Sequence, residues 1–173
     1  MKNKSLNRRL LAMALGVALV PVMSGAAVYS NGSKTANFDV TMKIIADCTI
    51  AANPLDFGQS QGVLSTAVTA NTTLNVTCTN TTPYNVGLSA GSGTGSTTSA
   101  RVMSGTGGNT STVAFNLNQT SGGVNWGNTQ GTDTLSGTGT GALQNLTVYG
   151  TVPSQSTPQP DTYKSTITAT VYF

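Results

Sequence analysis

The 173-residue chain contains no histidine and no glutamate, and its only acidic side chains are five scattered aspartates. Enzymes draw most general acids, general bases and nucleophile partners from histidine and paired carboxylates, so this chain lacks the usual groups. The Gly-rich stretch 91–95 has no strand-to-helix context that would indicate a phosphate-binding loop. We therefore expect a protein that is not an enzyme and binds no metal, cofactor or small-molecule substrate.

Basic residues are concentrated at the start of the chain. Four of the eight Lys and Arg residues lie within the first nine positions, before an apolar run at 10–23 and small residues at 24–27. This order is typical of a secretory signal peptide, and the apolar run is shorter than the roughly 20 residues of a membrane anchor, which is the alternative. We predict a signal peptide at residues 1–26. After cleavage four cations would face five aspartates, so the pI near 9.0 gives no reason to expect nucleic acid binding.

The chain has two cysteines, Cys48 and Cys78. In an exported protein we expect them to form a disulfide rather than remain two free buried thiols. The bond would close a loop of about 30 residues and contribute about 3–4 kcal/mol in the chain-entropy treatment. A metal site would require more ligands than this sequence offers.

The composition of the chain is typical of an all-β protein. Thr, Ser, Asn and Gly dominate, and charged residues make up only 8%. We count about seven short strands separated by turn signals and no convincing helix after the signal, which favours an antiparallel sandwich, with a barrel as the alternative. Extended segments are predicted at 36–46, 48–52, 54–58, 73–78, 84–88, 100–103, 112–117, 143–153 and 163–173.

Two aromatic residues allow alternative interpretations. Trp126 lies in the Gly/Thr/Asn-rich region 118–141 and either lines a ligand surface or covers an edge of the core. Tyr163 either acts as a tyrosine corner, with its hydroxyl bonded to backbone near Pro160, or merely begins the last strand.

Two segments near opposite ends of the mature chain alternate between apolar and polar residues. We expect the last one to be a half-buried strand with no turn or covering partner after it, and the first one to be a spare strand. A domain with an unpartnered edge and a spare strand can polymerise by strand addition. The apolar members are Phe38, Val40, Met42 and Ile44 in the first segment, and Ile167, Ala169, Val171 and Phe173 in the last.

Several motifs together resemble the major pilins of archaic, Csu-type chaperone–usher pili, which share the spore coat protein U domain. The resemblance spans essentially the whole mature chain and is strongest at the two cysteines and the last strand. The matching motifs are the alternating run 38–44 followed by Cys48-Thr-Ile50, Leu55-Asp-Phe-Gly58, Leu74-Asn-Val-Thr-Cys78, and the ending Pro160 to Phe173.

This resemblance implies an incomplete immunoglobulin-like antiparallel β-sandwich that lacks its last strand, G. An N-terminal donor-strand extension would occupy residues 27–46 and the pilin domain residues 47–173. A periplasmic chaperone would lend a strand during folding, and at the outer-membrane usher the extension of the next subunit would replace it. The resemblance assigns donor residues Phe38, Val40, Met42 and Ile44, and an acceptor groove at Ile50, Ile167, Ala169, Val171 and Phe173.

The function implied is that of a structural pilus subunit. Identical or related pilins would polymerise by donor-strand exchange into an extracellular fibre, exported through the periplasm, that serves adhesion and biofilm formation. One alternative is a secreted coat protein of spores or cells that assembles in the same way. Another is a monomeric binding module in which residues 36–46 fold back into their own groove.

Overall fold

The computed structural model describes residues 31–59 and 63–173. The predicted signal peptide, residues 1–26, lies outside these residues. The chain divides after Thr41 into two units, and every strand described below belongs to the second, Met42–Phe173. The described residues contain strands, turns and irregular segments, with no helix that could cross a membrane.

Nine strands are present in the described chain, all paired antiparallel, so the prediction of an all-β antiparallel fold is confirmed. They are β1 (Cys48–Ala52), β2 (Val68–Cys78), β3 (Pro83–Leu88), β4 (Arg101–Gly105), β5 (Thr112–Asn118), β6 (Leu135–Thr138), β7 (Leu143–Val152), β8 (Tyr163–Lys164) and β9 (Ala169–Tyr172).

The strands form two sheets. A six-stranded sheet has the order β1-β2-β7-β5-β4-β8, and a three-stranded sheet has the order β6-β3-β9. The longest ladder joins β2 to β7, from Val68 opposite Val152 to Thr77 opposite Leu143. Because side chains alternate along a strand, most Leu and Val side chains of these two strands turn inward and most Thr and Asn side chains turn outward, while Leu143 at the start of β7 is exposed.

Inward-facing side chains of both sheets form one hydrophobic cluster. Trp126 is completely buried, and its indole Nε1 donates a hydrogen bond to the Val86 carbonyl oxygen at 2.7 Å. The interpretation of this tryptophan as part of the core is therefore confirmed. The other buried members are Leu64, Leu74, Val76, Cys78, Tyr84, Val86, Leu88, Val113, Phe115, Leu117, Val148 and Val152.

Arg101 is a buried cation that nothing in the sequence singled out. Only 1% of it is exposed, and its guanidinium donates hydrogen bonds to the carbonyl oxygens of Leu88 at 2.8 Å and Trp126 at 2.7 Å. Further bonds reach the carbonyl oxygens of Ser89 at 2.9 Å and Thr98 at 2.8 Å. Burial lowers the pKa of Arg101 to about 10, while the nearby charge of Asp133 opposes that shift. The guanidinium therefore stays protonated at neutral pH and ties two loops to the core.

The structure corrects several strand predictions. Residues 54–58 form no strand, β2 begins at Val68 rather than residue 73, and β6 lies in a region predicted to be loop. The last strand is divided, since β8 pairs with β4 in one sheet and β9 pairs with β3 in the other. The count of about seven strands was therefore too low, because alternation along one segment does not reveal a change of partner sheet.

Candidate functional site, an open groove between two sheet edges

Two strands expose a free edge on the same side of the sandwich. Among the described strands, β1 pairs only with β2 and β9 pairs only with β3. Just before β9, the backbone N–H groups of Thr166 and Thr168 donate to the hydroxyls of Ser92 at 2.8 Å and Ser89 at 2.9 Å. Because the backbone groups of successive residues in an extended chain point to opposite edges, those of Ile167 point away from this loop. An additional strand could therefore pair there.

A cavity of about 490 Å³ opens beside these strands, between the segment that follows β1 and the segment that precedes β9. One wall is the segment 52–57 that follows β1, and the other is the segment 164–169 that joins β8 to β9. Its floor consists of core side chains contributed by both sheets. They are Leu74, Leu88, Phe115, Leu117 and Val148.

A second cavity, of about 910 Å³, continues the first. The two cavities share Leu55, Phe57 and Met103, so they form one open channel, which we call the edge groove. The second part is lined by core residues such as Val113 and by the loop that precedes β8. The edge groove therefore leaves part of the inner face of the sandwich uncovered.

The segment after β1 forms its wall of the edge groove through two side chains. Asn53 is fixed to β2, since its backbone N–H donates to the Thr73 carbonyl oxygen at 3.1 Å. Beyond Asn53, Leu55 and Phe57 point inward and pack against the core, and the rings of Phe57 and Phe115 meet edge to face with centroids 6.4 Å apart. The apolar contacts of these two side chains thus hold the wall against the core.

A tyrosine corner supports the loop at the other end of the edge groove. The Tyr163 hydroxyl donates a hydrogen bond to the Gln159 carbonyl oxygen at 2.6 Å, which confirms the tyrosine-corner interpretation. In the same loop, the Asp161 carboxylate accepts hydrogen bonds from the backbone N–H groups of Gly107 at 2.8 Å and Thr162 at 2.7 Å. These bonds fix the loop that enters β8.

The predicted disulfide joins β1 to β2. Cys48 and Cys78 lie directly opposite each other in this strand pair, and their sulfur atoms are bonded. Cys78 belongs to the buried core, so the bond attaches the edge strand β1 to the interior of the sandwich. The described residues hold no group of metal-ligating side chains.

The predicted acceptor residues occupy different environments. Ile167 and Ala169 line the edge groove, whereas Ile50 and Val171 are half-buried against the core, and Phe173 is 58% exposed. Sequence reasoning did not assign Leu55, Phe57 or Met103 to the groove. The alternation in Leu55-Asp-Phe-Gly58 could have indicated Leu55 and Phe57, but the same pattern is equally typical of an ordinary strand.

The predicted donor residues lie in a segment without secondary structure. Residues 32–47 form no strand, and the four apolar side chains of the alternating run are 74–88% exposed. Single exposed apolar residues are common on proteins, whereas four in alternating order match the pattern of a strand with one apolar face. They are Phe38, Val40, Met42 and Ile44.

A comparison with protein families identifies the fold's relatives. The Spore Coat Protein U domain matches residues 34–170, which include the alternating run, the disulfide and nearly the whole sandwich. The chain belongs to this family. The resemblance noted from the sequence is thereby confirmed, and no curated protein matches the chain.

The comparison with solved structures finds proteins similar to this Spore Coat Protein U domain. One match is a chain in the crystal structure of the CsuC–CsuE chaperone–tip adhesion subunit pre-assembly complex from archaic chaperone-usher Csu pili of Acinetobacter baumannii. It has a TM-score of 0.55 and 22% identity, covering 75% of this chain and 40% of the other, so this chain spans less than half of that neighbour. The E. coli Hda pilus minor tip subunit HdaB also matches, with a TM-score of 0.38 and 17% identity over 72% of this chain and 78% of HdaB. The two antiparallel sheets and the match to the CsuC–CsuE structure confirm the immunoglobulin-like sandwich predicted from the sequence.

Proposed function

We propose that this protein is a structural subunit of a chaperone–usher surface pilus and that it polymerises by donor-strand exchange. In this proposal residues 27–46 are the donor extension and residues 47–173 the acceptor domain. The single observation that carries it is the edge groove, a largely apolar channel between the segment that follows β1 and the segment that precedes β9. The same chain also carries an exposed alternating segment that would complete such a channel in a neighbour.

The dimensions of the donor segment fit the edge groove. Residues 38–44 in extended conformation span roughly 20 Å, at about 3.3 Å per residue. The groove wall between Lys164 and Ala169 has nearly the same number of residues, and the second cavity extends it toward Tyr163. Every second donor side chain would point toward the core, while its backbone would pair with the strand edges on both sides.

Burial of the donor side chains would make the link stable. Phe38, Val40, Met42 and Ile44 would each contribute on the order of 1.5–3 kcal/mol if fully buried. Each added backbone hydrogen bond would contribute about 1 kcal/mol more. Because these contributions act at a single site with a preformed groove, we expect each link in the fibre to dissociate very slowly.

Folding of such a subunit requires a temporary partner. The edge groove is lined by apolar side chains that are only partly buried, such as Leu55, Met103 and Ile167, so a periplasmic chaperone would have to cover them before assembly at an outer-membrane usher. The crystal structure of a chaperone with a pilus subunit supports this part of the proposal by analogy of fold. The assembled fibre would lie outside the cell and serve adhesion and biofilm formation.

One alternative shares the mechanism and differs in its setting. The family is named for a spore coat protein, and a coat on spores or cells assembled by the same strand exchange would use the same groove. Genes for a chaperone and an usher beside this one would favour the pilus. In the other alternative, residues 36–46 fold back into the groove of their own chain, and the protein would then be a heat-stable monomer.

The proposal is tested by placing a charge at two adjacent positions of the donor segment. Val40→Asp would place a carboxylate in the apolar groove, where an unpaired charge is strongly disfavoured, so we expect no surface fibres. Thr41→Asp is the matched control, because its side chain would point away from the groove and fibres should form normally. Electron microscopy of the cell surface and the ladder of detergent-resistant multimers provide the readouts.

The result for Val40→Asp must be separated from misfolding. Binding of the exported variant to its chaperone, detected by co-purification, should equal that of the wild type. Fibres formed by Val40→Asp at wild-type levels would show that the donor assignment is wrong.

A further inference from the structure

The outward face of the large sheet has an unusual composition. From Thr69 to Thr77 on β2 every outward residue is threonine or asparagine, and from Asn145 to Thr151 on β7 the outward residues are Asn, Thr, Tyr and Thr. The neighbouring strand β5 adds Asn116 and Asn118. We call this surface the Thr/Asn face. It lies opposite the inward face that lines the edge groove, so strand exchange leaves it uncovered.

An aromatic ring lies at the centre of the Thr/Asn face. Tyr149 stands directly opposite Asn71 on β2 and Asn118 on β5, so its ring has an amide side chain on each side. Cross-strand partners lie about 5 Å apart on the same face of a sheet. The next row on this face pairs Thr73 with Thr147, and the row beyond it pairs Asn75 with Asn145, which adds two more amides within reach of one extended ligand.

The polar groups of the Thr/Asn face are available to a ligand. Of its side chains, only Thr73 is hydrogen-bonded to another described residue, as the acceptor of an amide N–H from Asn53 at 2.8 Å. Asn71 and Asn145 are exposed, and Tyr149 is half-buried. The long β2–β7 ladder holds the array in a fixed arrangement, so these groups need little ordering when a ligand binds.

The Thr/Asn face carries no charge. None of the residues of β2, β5 or β7 is Asp, Glu, Lys or Arg, although most exposed sheet faces contain such residues. Amides and hydroxyls pair with the hydroxyls of a sugar, and the apolar face of a sugar ring can pack on an aromatic side chain. An anionic polymer would find no cation on this surface.

We propose that the Thr/Asn face binds neutral polysaccharide, with Tyr149 packing against one sugar ring and Asn71 and Asn145 hydrogen-bonding its neighbours. A second copy of the chain fits less well, because stable protein interfaces have an apolar core, whereas this face consists of amides and hydroxyls around Tyr149, with the exposed Leu143 only at its end. Binding by one subunit would be weak, and repetition of the face along an assembly would increase it by avidity. The face is complete in each subunit, so the proposal does not depend on donor-strand exchange.

The test is affinity electrophoresis of the exported full chain in the assembled form that it adopts. Native gels would contain dextran, hydroxyethylcellulose or galactomannan as neutral probes, and alginate as the anionic comparison. We expect retardation by at least one neutral probe and none by alginate. Tyr149→Ala should weaken the apparent affinity about tenfold, whereas Tyr149→Phe should retain most of it.

Two further variants separate binding from folding. Asn71→Ala removes an exposed amide next to Tyr149 and should also weaken binding, while Asn80→Ala removes an exposed amide in the turn after β2 and should leave binding unchanged. Absence of retardation by all three neutral probes would overturn the proposal, as would wild-type retardation of both Tyr149→Ala and Asn71→Ala. A further outcome is that wild-type assemblies bundle in the absence of polysaccharide while Tyr149→Ala and Asn71→Ala assemblies do not. That result would overturn the proposal, because the Thr/Asn face would then bind a second copy of the chain.

Discussion

Gly150 lies directly beneath Leu55: a Cβ atom on Gly150 would stand 2.5 Å from Leu55 Cδ2. The same atom would stand 2.9 Å from Cζ of Phe57. The missing side chain in β7 therefore makes room for the two side chains that hold one wall of the edge groove. A glycine at this position determines where that wall packs.

Gly150→Ala should displace the wall of the edge groove. Overpacking of this kind destabilises a core by about 1–3 kcal/mol, so the midpoint of urea unfolding should fall. Adding Leu55→Ala to this variant removes the nearest contact and should recover part of the loss, although Leu55→Ala alone is also destabilising. Strict additivity of the two single effects would show that the residues do not compete for this space.

Arg101→Met should be strongly destabilising. It leaves the buried carbonyl oxygens of Leu88 and Trp126 without donors, and each such loss costs about 1–3 kcal/mol. Lys164→Met, which removes an exposed cation, serves as the control and should change stability little. Equal urea midpoints for the two variants would contradict the role assigned to Arg101.

Stability should hardly change between pH 6 and pH 9. The chain has no histidine, the residue whose ordinary pKa lies in this interval. Burial lowers the pKa of Arg101 to about 10, so its desolvation penalty is fully present below pH 10 and is relieved only at higher pH. Burial raises the pKa of Tyr84, and the stability this gives is lost only as the pH rises above the ordinary tyrosine value near 10. A Tm that shifts by several degrees between pH 6 and pH 9 would show that a group other than Arg101 and Tyr84 titrates on unfolding.

Removal of the disulfide should weaken the edge strand β1 more than the rest of the sandwich. Cys48→Ser combined with Cys78→Ser should cost about 2–5 kcal/mol. Hydrogen exchange should increase first in residues 48–52, since only β2 pairs with them among the described strands. If β1 of the double variant exchanged as slowly as β1 of the wild type, the backbone hydrogen bonds to β2 alone would be sufficient to hold this strand.

Much of the fold could be predicted because its signals are local. The alternation in Leu74-Asn-Val-Thr-Cys78 indicated a strand with one buried face, and the two cysteines could pair only with each other. The strand β6 was missed because Leu135 is its one large apolar residue, and a Gly/Thr-rich composition is typical of loops. Its place in the sheet is decided by pairing with β3, which is a tertiary contact.

The candidate site was harder to predict than the fold. Ile167 and Ala169 were assigned to the groove through the resemblance to the pilin family, in which the alternating last segment is one of the matching motifs. Leu55 and Phe57 depend on Gly150, almost a hundred residues later in the chain, and no local pattern links them. Arg101 resembles any exposed strand cation in sequence, because its acceptors are backbone oxygens that carry no side-chain signature.

The division of the last strand between the two sheets has a mechanical consequence. Lys164 is anchored through β4 to one sheet, and Ala169 is anchored through β3 to the other. A segment seated along residues 164–169 and pulled lengthwise would load both sheets at once, in shear rather than by peeling. Rupture would then require many hydrogen bonds to break together, so such a joint would withstand tension far better than a single unzipping edge.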